Sequence, residues 1–148
     1  MLAWMLAVFL TPAPQGADKV TSVRAYVFTE TSAGGQPDAE EQGRLDAVKE
    51  VREALAKKKG ISLVDTRADA TLLVEVVDRE QRENGGGGFG GAQITPMGDT
   101  IIRLHIRSGS DESDIKGMGQ GTWGRAAKDA ADRILKWIAR REPSRKAG

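Results

Sequence analysis

Apolar and polar positions alternate with two different periods along the chain, and the switches between them mark the elements. Val20–Thr29 (VTSVRAYVFT) carries β-branched and aromatic residues at period two, which predicts a strand. Thr21, Val23, Ala25 and Val27 fall on one face, and Ser22, Arg24, Tyr26 and Phe28 on the other. After the loop Ser32–Pro37 the period becomes helical from Asp38 to Lys59, with a stripe of Leu45, Val48, Val51, Arg52 and Leu55. Asp38 suits the amino-terminal cap, Glu40 and Glu41 suit the first turn, Lys57–Lys59 suit the last turn, and Gly60 suits the carboxy-terminal cap. A short strand, Ile61–Val64, and a turn, Asp65–Asp69, lead into Ala70–Arg79, the longest β-type run of the chain. There Leu72, Val74 and Val76 point one way; Leu73, Glu75, Val77 and Arg79 point the other. Both faces are apolar at its start, as expected of an interior strand.

Glu80–Ala92 is a glycine-rich segment with a lone aromatic, Phe89, and reads as a hairpin tip. Asp99–Arg107 alternates cleanly, with Ile102, Leu104 and Ile106 toward the core and Ile101, Arg103, His105 and Arg107 outward. After an acidic turn at Ser108–Ser113, Asp114–Thr122 reads as an irregular edge strand. Gly117, Gly119 and Gly121 leave one of its faces without side chains, so that a helix can approach closely. The last helix opens at Thr122 or Trp123 and runs to about Arg141, with Trp123, Ala127, Ala130, Ile134, Trp137 and Ile138 as its stripe and Pro143 as its stop. The order β-α-β-β-β-α predicts an α+β two-layer sandwich: a mostly antiparallel sheet with two helices on one face. The domain is expected over 18–142, preceded by an apolar segment 1–17 and followed by a basic tail 143–148.

Composition changes this picture only by exclusion. The 148 residues suit one domain, and 22 basic against 21 acidic residues leave no global field to attract nucleic acid or an anionic membrane. With no Cys and one His, thiol chemistry, disulfides and multi-histidine metal sites are excluded within the chain. The glycines lie between two strands rather than before a helix, and no Gly-Lys-Ser/Thr ending follows, so a phosphate-binding loop is not expected. No cofactor, metal or catalytic residue is assigned. The acidic pairs Glu40-Glu41, Asp65/Asp69 and Asp111-Glu112-Asp114 read as caps and turns.

The first segment carries more information. Met1–Leu10 (MLAWMLAVFL) is wholly apolar and is followed by the small-residue exit Gln15-Gly16-Ala17, the pattern of a secretory signal that lacks its leading basic residues. It is shorter than the roughly 20 residues of a membrane-spanning helix. Export to the periplasm or the cell exterior is therefore expected, with the mature chain starting near Asp18.

Gly60-Ile61-Ser62-Leu63-Val64-Asp65, then Ala68-Asp69-Ala70-Thr71-Leu72-Leu73-Val74-Glu75-Val76, and the closing Ala127–Ile134 carry a resemblance. Together they look like the periplasmic α/β domain of the TolB amino-terminal type and the envelope accessory lipoproteins related to LpoB and CsgG. This chain departs from the lipoproteins in having no Cys to lipidate, and from TolB in having no propeller after the domain. The resemblance implies a non-enzymatic envelope domain that engages another protein, and it transfers no catalytic residue.

Contact with a partner is expected through the open sheet edge around Gly117–Gly121 or through the arginine-bearing face of the sheet. Arg24, Tyr26 and Phe28 from the first strand join Arg103, His105 and Arg107 from the fourth, beside Glu75, Val77 and Ile101. Such a face suits a protein partner. An open sheet with aromatics and arginines is also how single-stranded nucleic acid is held, and His105 is the natural base for a small hydrolase. The first reading leads; nucleic acid and hydrolysis are the alternatives. A β-bulge would invert the face assignment beyond it.

Overall fold

The computed structural model describes residues 22–82 and 98–145, and the side chains within these as far as Arg141. The apolar segment 1–17, the glycine-rich stretch with Phe89, and the end of the tail lie outside the described residues. Within them the order is β1 (Val23–Phe28), α1 (Ala39–Ala56), β2 (Ile61–Leu63), β3 (Leu72–Arg82), β4 (Asp99–Ser108), β5 (Asp111–Gln120) and α2 (Trp123–Arg145), with a 3₁₀ turn at Arg67–Asp69. The fold is the α+β sandwich that the pattern predicts. One sheet has the strand order β2-β1-β3-β4-β5. The two long ladders, β3–β4 and β4–β5, are antiparallel; β1 pairs with β2 and β3 in parallel.

Both helices cover one face. Ala25 and Val27 of β1, Leu72, Val74 and Val76 of β3, and Ile102, Leu104 and Ile106 of β4 meet Val51 and Leu55 of α1 and Ala127, Ala130 and Ile134 of α2. β3 is the middle strand, as its two apolar faces require. Asp38 caps α1 by accepting from the Glu41 amide at 2.7 Å. The helix ends earlier than its lysines suggest. Lys57 is already the cap residue and Gly60 takes φ +84 in the turn beyond, so Lys57–Lys59 follow the helix rather than closing it. Of the expected stripe, Val51 and Leu55 are fully buried, Leu45 and Val48 are only half-buried, and Ala47 is a fully buried residue outside it. Lys58 instead reaches across to α2 and hydrogen-bonds Asp132, which holds that carboxyl below its ordinary range.

β5 is regular over its whole length and begins at Asp111, in the stretch that reads as a turn. The turn is the pair Gly109-Ser110, with Gly109 at φ +63, the glycine-first arrangement that two-residue hairpins favour. Gly117 and Gly119 face α2. A Cβ on Gly117 would lie 2.3 Å from the Ala126 carbonyl oxygen, and one on Gly119 would lie 2.5 Å from the Ala126 nitrogen. The glycine periodicity is thus a groove into which the alanines of α2 settle. α2 runs past Pro143 to Arg145. A proline there forfeits one hydrogen bond near the end of the helix without stopping it at once.

The register shifts between Val76 and Asp78: Val76 pairs with Leu104 and Asp78 with Arg103, which leaves Val77 as the extra residue of a β-bulge. This corrects the sequence-based face of Arg79. Beyond the bulge the alternation restarts and Arg79 turns to the helix side. Its guanidinium lies 3.9 Å from the Trp123 ring centre, donates to the Gly43 carbonyl at 3.1 Å and pairs with Asp46 at 3.4 Å. Deleting Val77 is expected to leave a cooperatively folded chain, because Asp78 then follows Val76 in regular alternation. Deleting His105, in the strand opposite that has no extra residue to give up, turns Leu104 or Ile106 out of the core and is expected to abolish the transition. Thermal melts of the two deletions followed by circular dichroism check this pair.

Candidate functional site

The face opposite the helices is built by alternation. In register across it run Tyr26, Leu73, Arg107 and Glu112, and beside them Phe28, Glu75, His105 and Asp114. The next row is Asp78, Arg103 and Lys116, and after it Glu80, Ile101 and Met118. The six residues expected on this face, Arg24, Tyr26, Phe28, Arg103, His105 and Arg107, are all on it. β3 stands between the two groups, so they flank a strip of Leu73 and Glu75 rather than touching.

The aromatic side is ordered by stacking. Tyr26 and Phe28 lie with ring centres 5.5 Å apart and 15° between their planes. The connection from β2 to β3 must pass β1, because β2 and β3 flank it. It crosses on this outer face, and Arg67 of the 3₁₀ turn sits 4.6 Å above the Phe28 ring. The Thr71 amide donates to the Arg24 carbonyl at 2.8 Å and fastens the end of the crossing. Arg67 is a residue of this surface that the sequence does not point to; only the parallel topology brings it there.

The basic side is already neutralised. Arg103 pairs with Asp78 at 3.5 Å and with Glu80 at 3.3 Å; Arg107 pairs with Glu112 at 3.7 Å. Hydrogen bonds from Arg82 and then Arg103 hold the Glu80 carboxyl below the usual carboxylate range. His105 Nδ1 lies 2.8 Å from Asp114 Oδ1 and its Nε2 lies 3.7 Å from Glu112. Its neighbours on both sides are carboxylates, with no serine or threonine hydroxyl in hydrogen-bond contact among the described residues. Phe28, Arg67, Leu73, Glu75, His105 and Arg107 enclose a cavity of about 20 Å³, room for one water at most. A second hollow, between α1 and α2 on the other side of the molecule, measures about 170 Å³ and mixes Glu50 and Glu53 with Lys57, Lys58 and Lys128. Both are well below the usual size of a small-molecule site. Among the described residues no group of His, Asp or Glu is arranged to hold a metal ion. The acidic residues that read as turns and caps have partners: Asp65 pairs with Arg52 at 2.8 Å, and Asp69 accepts from Thr66.

Apolar surface remains on the same face. Val77, pushed out by the bulge, is 49% exposed, and Met118 is 43% exposed. Ile101, between Glu80 and Met118, is buried although it lies outside the helix-covered core.

No family model matches the chain, and no curated protein matches it. Among solved structures, the hypothetical protein CT253 from Chlamydia trachomatis is similar at a TM-score of 0.34 and 10% identity, over 81% of this chain and 94% of that one. A likeness of that size indicates neither activity nor partner. No described helix is long and apolar enough to cross a membrane.

Proposed function

We propose that this chain is an exported, non-enzymatic accessory domain of the cell envelope that binds another protein through the sheet face opposite its helices. The observation that carries the reading is the charge balance of that face. Arg103 and Arg107 are each spent on carboxylates of adjoining strands, while Val77 and Met118 stand exposed on the same face as the half-buried Tyr26–Phe28 stack. Aromatic and apolar groups framed by satisfied ion pairs suit a protein surface. A nucleic-acid face would keep its arginines free for phosphate. A hydrolase would need a substrate cleft beside His105, where the cavity admits a single water. Export rests on the apolar run Met1–Leu10 and its small-residue exit, in agreement with the resemblance to periplasmic α/β domains.

The compartment is tested by mass spectrometry of the protein isolated from its own cell. A mature amino terminus near Asp18 is expected. An intact Met1 in the cytoplasmic fraction refutes export and with it the envelope partner.

A further inference from the structure

β5 is an edge strand, and α2 has closed all but one window of that edge. In β5 the even-numbered residues turn their backbone groups away from β4. The Met118 amide donates 2.9 Å outward to Asp129, and the Gln120 carbonyl accepts from Arg125 at 3.4 Å. At the other end Arg141 pairs with Asp111 at 2.8 Å and donates to the Ser108 carbonyl, which ties down the hairpin. Between these plugs, no described side chain bonds the outward backbone groups of Glu112, Asp114 and Lys116. The side chains of Glu112 and Asp114 are 61% and 89% exposed. Glu112–Lys116 spans about 17 Å of strand, enough to pair one extended segment. The Gly117–Gly121 stretch, where the missing side chains suggest an open edge, is the plugged part.

We propose that this window binds an extended segment of a partner protein by strand addition, and that the segment alternates basic and acidic residues. Its side chains on the outer face lie beside Glu112 and Asp114, which stay largely exposed although they pair with Arg107 and His105 and favour Lys or Arg there, and beside Lys116, which favours Glu or Asp at that end. Its alternate side chains lie on the helix side, beside Arg133, Lys136 and Arg140 of α2; Arg133 already pairs with Asp129 at 2.9 Å, and the exposed Lys136 and Arg140 favour Glu or Asp there. A second copy of this chain fits poorly. Two-fold pairing about Asp114 sets Asp114 against itself and brings each basic row of α2 to its own image. The inference rests on the protein-binding reading but uses a different surface from the aromatic face.

The test is amide hydrogen exchange of the whole chain titrated with a short capped peptide of alternating Arg and Glu. The amides of Glu112, Asp114 and Lys116 are expected to slow by about tenfold or more, with Met118 unchanged. The same peptide N-methylated at every second residue is expected to give no protection, and this leaves the protein itself unaltered. Lys116→Pro, which removes an edge amide that β4 does not use, is expected to weaken protection while the melting transition survives. Peptides alternating Arg with Thr or Glu with Thr are expected to protect less. No protection at the three amides, equal protection by the N-methylated peptide, or concentration-dependent protection without peptide (the signature of a β5–β5 dimer) overturns the proposal. Crosslinking from the aromatic face is independent of these amides. A partner captured there with an inert edge refutes the window alone.

Discussion

Gly117→Ala is expected to destabilise the domain by about 3 kcal/mol, the upper part of the range for overpacking a core. The methyl group would sit 2.3 Å from the Ala126 carbonyl oxygen and 2.6 Å from the Ala130 Cβ. The closer of these atoms is backbone in the first turns of α2, so relief requires the helix to lift off β5. Lifting it uncovers Ala126, Ala127 and Ala130, all fully buried, and draws the Thr122 carbonyl away from the Thr100 hydroxyl, 2.9 Å from it. For a domain of this length the melting temperature should fall by about 10 °C. Gly35→Ala is the control. A Cβ there meets nothing, and a change within about 0.5 kcal/mol is expected. Equal melting temperatures for the two variants would show that α2 does not lie in the glycine groove.

Leu104→Ala is expected to cost about 3 kcal/mol, within the range for truncating a buried leucine. Leu104 is 1% exposed and stands in register between Val76 and Ile115 under the helices, so close-packed neighbours on both sides restrict the collapse that would fill the void. Leu73 lies on the other face and is half-buried, and Leu73→Ala is expected to cost about 1 kcal/mol, in proportion to the apolar area it covers. Chemical denaturation of the pair measures the asymmetry of the sheet directly. Similar costs at both positions would mean that the two faces are equally packed, and the open face would not exist.

Much of this architecture is legible because periodicity survives in the residues themselves. The alternation of Ile102, Leu104 and Ile106 fixes the core face of β4, and the glycines at every second position of β5 announce a close approach because their absence of side chains is itself periodic. What is hidden depends on non-local pairing. Val77 looks like any other strand valine, and nothing local distinguishes a bulged residue from a paired one, so Arg79 reads as outward when it stacks on Trp123. The parallel pairing of β1 cannot be read from β1, yet it is what carries the β2–β3 connection over the outer face and puts Arg67 on Phe28. Likewise the arginines of that face are visible in the sequence but their partners are not. Arg103 meets Asp78 only because of the bulge, and Arg107 meets Glu112 only through the hairpin register. Counted from sequence, Arg24, Arg103 and Arg107 make a basic patch. Placed in the sheet, Arg103 and Arg107 belong to a surface on which each is paired with carboxylates.

The central claim, a protein-binding outer face, is tested most directly by placing a photo-crosslinking amino acid at Val77 in the chain made in its own cell, with Lys128 on the helix side as the comparison position. One discrete envelope protein is expected to crosslink from Val77 and not from Lys128, and the product is expected to be lost when Arg103→Glu and Arg107→Glu together reverse the charge of the face. Crosslinks to nucleic acid, the same products from both positions, or no product from Val77 would contradict it.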